Sequence, residues 1–99
     1  MMERKMMNEF MLQIRGCKDN KNAECTRPVF VWKAPQDYHQ FTVQLSKEKT
    51  FSRINFLRDT CEHFCAYDNV KLQPNTTYYA RVRSGIGLWS TITFTTGKE

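Results

Sequence analysis

Residues 71–96 read KLQPNTTYYARVRSGIGLWSTITFTT, and this stretch decides the fold. Its first part, Leu72-x-Pro74-x-Thr76-x-Tyr78, has the form of a corner. Pro74 stops one strand because it has no N–H to give to a ladder. Asn75 tolerates the turn. Tyr78 then opens the next strand. A chain crossing from one sheet to another exposes backbone groups, and a phenol hydroxyl that reaches back satisfies one of them.

The strand that follows alternates cleanly. Tyr78, Ala80 and Val82 share one face, and Tyr79, Arg81 and Arg83 share the other. Gly85-Ile86-Gly87 is a hairpin loop, and STITFTT is a further alternating segment with Ile92 and Phe94 on one face. Upstream, the same period-two pattern recurs three times. Phe10, Leu12 and Ile14 align in EFMLQIR. Phe30 and Trp32 align in PVFVWKAP, opposite Val29 and Val31. Phe41, Val43 and Leu45 align in YHQFTVQLSKE. TFSRINFLRD adds Phe51, Ile54, Phe56 and Leu57 in a looser pattern. No period of 3.6 persists beyond two turns. Short strands separated by turn residues imply an all-β chain, an antiparallel β-sandwich of about six or seven strands, with a half-open barrel as the nearest competitor.

From Leu72 to Thr96 the chain resembles the end of a fibronectin type III domain. That family ends with a Leu-x-Pro-x-Thr-x-Tyr corner, a strand bearing Val-Arg, a glycine hairpin, a Trp-Ser step and a Phe-Thr-Thr finish. The matching residues here are Leu72 to Tyr78, Val82-Arg83, Gly85 to Gly87, Trp89-Ser90 and Phe94-Thr95-Thr96. Val29 to Trp32 resembles the family's second strand with its buried tryptophan, and Phe41 to Ser46 its third, as in short bacterial and phage versions. The resemblance runs from about Arg27 to Thr96. It implies a non-catalytic immunoglobulin-like module for protein binding, adhesion or structural assembly, residues 9–99 forming the domain and 1–8 a flexible N-terminus. The alternative is an extracellular, cytokine-receptor-like module that binds a protein ligand. In the family the first strand lies close before the second. Here the polar loop CKDNKNAEC intervenes, which leaves the first strand displaced or missing.

The chain has 99 residues, enough for one domain. Aromatic residues make up 13%, which suits a small core filled with rings. The net charge is +5, but lysines and arginines are interleaved with acids except at Arg81-Val82-Arg83. That scatter is expected of a solvated surface, not of a nucleic-acid footprint. No apolar run approaches the roughly 20 residues of a membrane helix. Asn8, Glu9, Gln13 and Arg15 interrupt any signal-peptide core. The compartment stays open: intracellular or virion-associated, or a module taken from a secreted or surface protein.

Arg81 and Arg83 point the same way on an extended strand, and Trp89 begins the strand across the hairpin. A guanidinium stacked on an exposed indole contributes roughly 0.5–1 kcal/mol. The arrangement is similar to the arginine–tryptophan ladder of cytokine-receptor sandwiches. Arg81, Arg83, Gly85 and Trp89 are therefore the candidate binding residues, beside a purely structural role for the same stack.

Cys17, Cys25, Cys61 and Cys65 are disulfide candidates. An extended Cys61–Cys65 segment would separate the two Cα atoms by about 13 Å, whereas a disulfide needs less than about 7 Å. A Cys17–Cys25 bond would close the polar loop, for perhaps 2–3 kcal/mol. Free thiols remain an alternative. A zinc site using Cys61, His63 and Cys65 with Cys17 or Cys25 lacks the usual C-x2-C spacing, so no metal and no cofactor are expected. With residues 60–69 read as a strand, Cys61, His63 and Cys65 lie on one face and Phe64 on the other. Phe64 is then expected to face the core and the thiols to face outward. His39 is expected at the surface. Cys61 and His63 form no recognisable catalytic constellation, Gly85-Ile86-Gly87 lacks the third glycine of a dinucleotide motif, and Asn75-Thr76-Thr77, though a glycosylation sequon, serves the turn.

Overall fold

A computed structural model describes residues 11–15, 27–35 and 38–97. Seven strands appear, in the order β1 (Met11–Arg15), β2 (Val29–Lys33), β3 (Phe41–Ser46), β4 (Phe56–Thr60), β5 (Phe64–Ala66), β6 (Thr77–Ser84) and β7 (Ser90–Thr95). No α-helix occurs among the described residues. A three-stranded sheet runs β1-β2-β5 and a four-stranded sheet β4-β3-β6-β7. All neighbouring strands are antiparallel. The architecture is a β-sandwich of two separate sheets, not a half-open barrel.

The alternation read from the sequence sets the inner faces. Phe30 and Trp32 from β2, Phe41, Val43 and Leu45 from β3, and Tyr78, Ala80 and Val82 from β6 are all buried. Ile92 and Phe94 of β7 pack against this cluster. Rings meet edge to face across the sandwich: Trp32 on Phe41 at 5.4 Å and Phe30 on Phe94 at 6.3 Å between centroids. Such pairs add roughly 0.5–1.5 kcal/mol each beyond their buried area.

The first strand is present. Met11–Arg15 pairs with β2, with Leu12 opposite Trp32 and Ile14 opposite Phe30. Phe10, the rest of the expected N-terminal segment, and Cys17 and Cys25 lie outside the described residues.

Residues 60–66 depart from the expectation. The chain bends at 61–63, where the Glu62 N–H bonds to the Thr60 hydroxyl at 3.0 Å. Only Phe64–Ala66 is a strand. Its register places Cys65 opposite Phe30 and Phe64 opposite Val31. Phe30 points inward, so Cys65 does too, and Phe64 is turned out and half exposed. Over Phe64–Ala66 the expected faces are inverted, whereas Cys61 is exposed as expected, and the bend at 61–63 takes it off the row of Cys65. The inward row continues to Tyr67, whose ring lies 5.0 Å from Phe56 and fills the place expected for Phe64. Cys61 is exposed and Cys65 buried, and both are free thiols. The His63 ring is edge-on to Phe41 at 5.0 Å, and its Nε2 lies 3.3 Å from the Tyr38 carbonyl.

The corner is built as its sequence demands. The Gln73 N–H donates to the Tyr78 hydroxyl at 3.0 Å. Asn75 takes a left-handed φ of 53°, and its N–H bonds to Gly97. Buried Thr96 ties the two ends, its hydroxyl donating to the Gln73 carbonyl at 2.6 Å and accepting from the Thr76 N–H at 2.9 Å.

Candidate functional site

The outer face of the four-stranded sheet is set by cross-strand register. Arg81 of β6 lies between Gln44 of β3 and Thr91 of β7, and Arg83 lies opposite Thr42. Inward residues of β6 are buried, so the two arginines face out. Their Cα atoms are two residues apart, roughly 6.6 Å on an extended strand.

Trp89 enters between them. The guanidinium carbon of Arg81 lies 4.0 Å from the indole ring centre and that of Arg83 lies 4.2 Å from it. Two guanidiniums centred on one face of a ring at these heights would collide, so they occupy opposite faces. On its other side Arg81 meets the Phe51 ring, again at 4.0 Å. The result is a four-layer stack in the order Phe51, Arg81, Trp89, Arg83. The Arg81 Nε–H also donates to the Gln44 side-chain oxygen at 2.8 Å, which fixes the plane of the guanidinium. Burial pushes the Arg81 pKa down from its usual value, and the neighbouring Arg83 charge adds to this.

Phe51 was missed as part of the site, and its geometry explains why. It closes the turn after β3, its N–H bonding to the Glu48 carbonyl at 2.9 Å, with a left-handed φ of 57°. A bulky residue rarely takes that conformation. No periodic pattern could reveal that the ring folds back over the sheet. Ser46 steadies this turn, its buried hydroxyl donating to the Arg53 carbonyl at 2.7 Å and accepting from the Glu48 N–H at 2.9 Å. Gln44 was recoverable, because alternation sets it outward and register sets it beside Arg81.

The hairpin sits at one end of the stack. Gly85 has a φ of 58°, the conformation that favours glycine, and a Cβ there would meet open space. The Gly87 N–H bonds to the Ser84 carbonyl at 3.0 Å. Ile86 is 93% exposed and Leu88 61%, so the loop presents aliphatic side chains beside the arginines. A cleft of about 330 Å³ opens behind Gly85, between Gln40, Thr42, Asp59 and Cys61. Arg81, Arg83, Gly85 and Trp89 are thus brought to one end of one face.

Of the described cysteines, Cys61 lines the cleft behind Gly85, and Cys65 stands apart from the stack. Cys65 lies in the core near the opposite sheet, where burial pushes its thiol pKa up. Among the described residues no group of three or more His, Cys, Asp or Glu side chains could hold a metal. His39 is exposed. No helix among the described residues is long and apolar enough to cross a membrane.

No family model and no curated protein matches the sequence. Among solved structures the chain is similar to one described as a computer-based redesign of a β-sandwich protein. The two are 22% identical with a TM-score of 0.67, over 96% of this chain and 94% of the other. At that identity the likeness concerns the fold alone, and the fold is an antiparallel β-sandwich.

Proposed function

We propose that this chain is a fibronectin type III-like module that binds a protein partner without catalysis. The order of strands in the two sheets and the Tyr78 corner support the family reading. The observation that carries the binding reading is the stack. It holds two cations and an indole rigid on an outer face, beside a loop that exposes Ile86 and Leu88. Aromatic and arginine side chains are enriched at binding hot spots, and pre-ordered side chains lose less entropy on binding.

The direct test immobilises the domain and compares the proteins it retains with those retained by Arg83→Ala and Trp89→Ala. The reading expects a partner held by the parent and lost by both variants, with the melting temperature of Arg83→Ala, at the outer end of the stack, little changed. Equal retention by all three removes this surface from consideration.

The alternation of Arg81, Trp89 and Arg83 favours one alternative, an extracellular receptor-like module that binds a protein ligand. The two readings differ in compartment. The N-terminal sequence of the natural precursor separates them, since the receptor reading requires an export signal.

A further inference from the structure

Among the described residues the stacked arginines have no counter-charge. A guanidinium carries five N–H donors. Arg81 uses one, on Gln44. Arg83 forms no hydrogen bond or ion pair with any described residue, and its Nε is buried without a partner. The ion pair present among the described residues, Arg58 of β4 to Asp68 at 2.8 Å, lies elsewhere. Asp59 shares the outer face, but Thr42 stands between it and Arg83 and donates its hydroxyl to the Asp59 carboxylate at 2.8 Å. Around the arginines the face carries Thr42, Gln44, Tyr79, Thr91 and Thr93, all neutral and able to donate.

We propose that this face docks an acidic polypeptide segment in extended conformation, with carboxylates on alternate residues pairing with Arg81 and Arg83. The inference rests on the protein-binding reading above and names the chemistry of the partner. Spacing is compatible with it: the two guanidinium carbons, on opposite faces of the indole, lie about 8 Å apart, and alternate side chains of an extended chain, repeating at about 6.6 Å, reach both by small rotamer changes. The stack supports it. Rings cover the flat faces of Arg81, so its remaining N–H edge is held in place for a carboxylate, the planar match that arginine makes and lysine does not. A single-stranded nucleic acid fits less well. It would need an open aromatic face on which to stack a base, and both faces of Trp89 are occupied.

The test is fluorescence anisotropy with a labelled twelve-residue peptide alternating Ser and Glu. The controls are the same peptide with Gln for Glu and an oligothymidylate of equal charge. The protein is the full chain, its Arg83→Gln and Arg83→Lys variants, and Lys71→Gln, which removes a charge outside the stack. The Glu peptide is expected to bind at least about tenfold tighter than the Gln peptide, and Arg83→Gln to remove about tenfold, the size of one charge-assisted bond. Arg83→Lys is expected to recover only a small part of this, and Lys71→Gln to change affinity by less than about twofold.

Equal binding of the Glu and Gln peptides overturns the proposal, and that comparison needs no variant. So does an effect of Lys71→Gln as large as that of Arg83→Gln, which marks diffuse attraction. Tighter binding of the oligothymidylate replaces the acidic polypeptide with nucleic acid. If the Glu peptide fails while partner retention still depends on Arg83, the acidic inference falls and the protein-binding reading stands. If that dependence is also absent, both fall.

Discussion

Arg81 lies face to face with Trp89, its guanidinium carbon 4.0 Å from the indole ring centre, and Phe51 closes its other face at the same distance. The contact joins three parts of the chain: the turn after β3, the middle of β6 and the start of β7. Flat rings and flat cations stack without losing the in-plane N–H groups, so the same contact that stiffens the sheet leaves donors available at its edge.

Phe51 anchors that stack at a conformational cost. Phe51→Ala is expected to destabilise by about 2 kcal/mol, less than a core phenylalanine because the ring packs on an outer face. Phe51→Gly is expected to be no worse than Phe51→Ala, the reverse of the usual order, because glycine relieves the left-handed strain of about 1 kcal/mol. Urea unfolding of the two variants decides it. A glycine variant clearly weaker than the alanine variant would show that the turn carries no strain.

The corner is expected to depend on one hydroxyl. Tyr78→Phe keeps the ring stacked on Phe94 at 5.8 Å and removes the acceptor for the Gln73 N–H. The loss is expected at about 1 kcal/mol, rising toward 3 if the freed N–H stays dry. A variant as stable as the parent would mean that water replaces the phenol at no cost.

Trp32 is 2% exposed and spans the space between the sheets. Trp32→Ala is expected to cost about 3–5 kcal/mol, enough to unfold a domain of this size. A folded variant with the parent's melting temperature would remove β2 from the core.

Most of the fold was legible because strand periodicity is local. In β3, β6 and β7 one face is apolar and the other polar, so the buried rows were readable without knowing any partner. The corner was legible because its chemistry lies within seven residues. Cys65 and Phe64 were assigned to the wrong faces because ring size outweighed register, and register with β2 is a long-range fact. The arginines and Trp89 were legible as neighbours across a hairpin. Phe51 was not, because it reaches the stack through a left-handed backbone that no pattern announces.

The thiols are expected to differ in chemistry. Cys61 is exposed and Cys65 buried. Under native conditions a maleimide is expected to label Cys61 within minutes and Cys65 only on unfolding, as read by peptide mass mapping. Burial raises the Cys65 pKa, so the folded state holds its proton more tightly than the unfolded chain. Its contribution to stability is therefore complete below the unfolded thiol value of about 8.5 and is lost as pH rises through the folded value. Cys65→Ala is expected to flatten the alkaline fall in stability. Rapid labelling of Cys65 in the native protein would contradict its inward placement.

The most direct test of the binding surface is nuclear magnetic resonance on the isotope-labelled chain, titrated with the alternating Ser–Glu peptide. Shifts are expected at the Arg81 and Arg83 side-chain N–H groups, the Trp89 indole N–H and the Gly85 amide, with the Trp32 indole and the Asn75 corner unmoved. Shifts centred on β1, β2 and β5, or spread evenly over the surface lysines, would contradict the account.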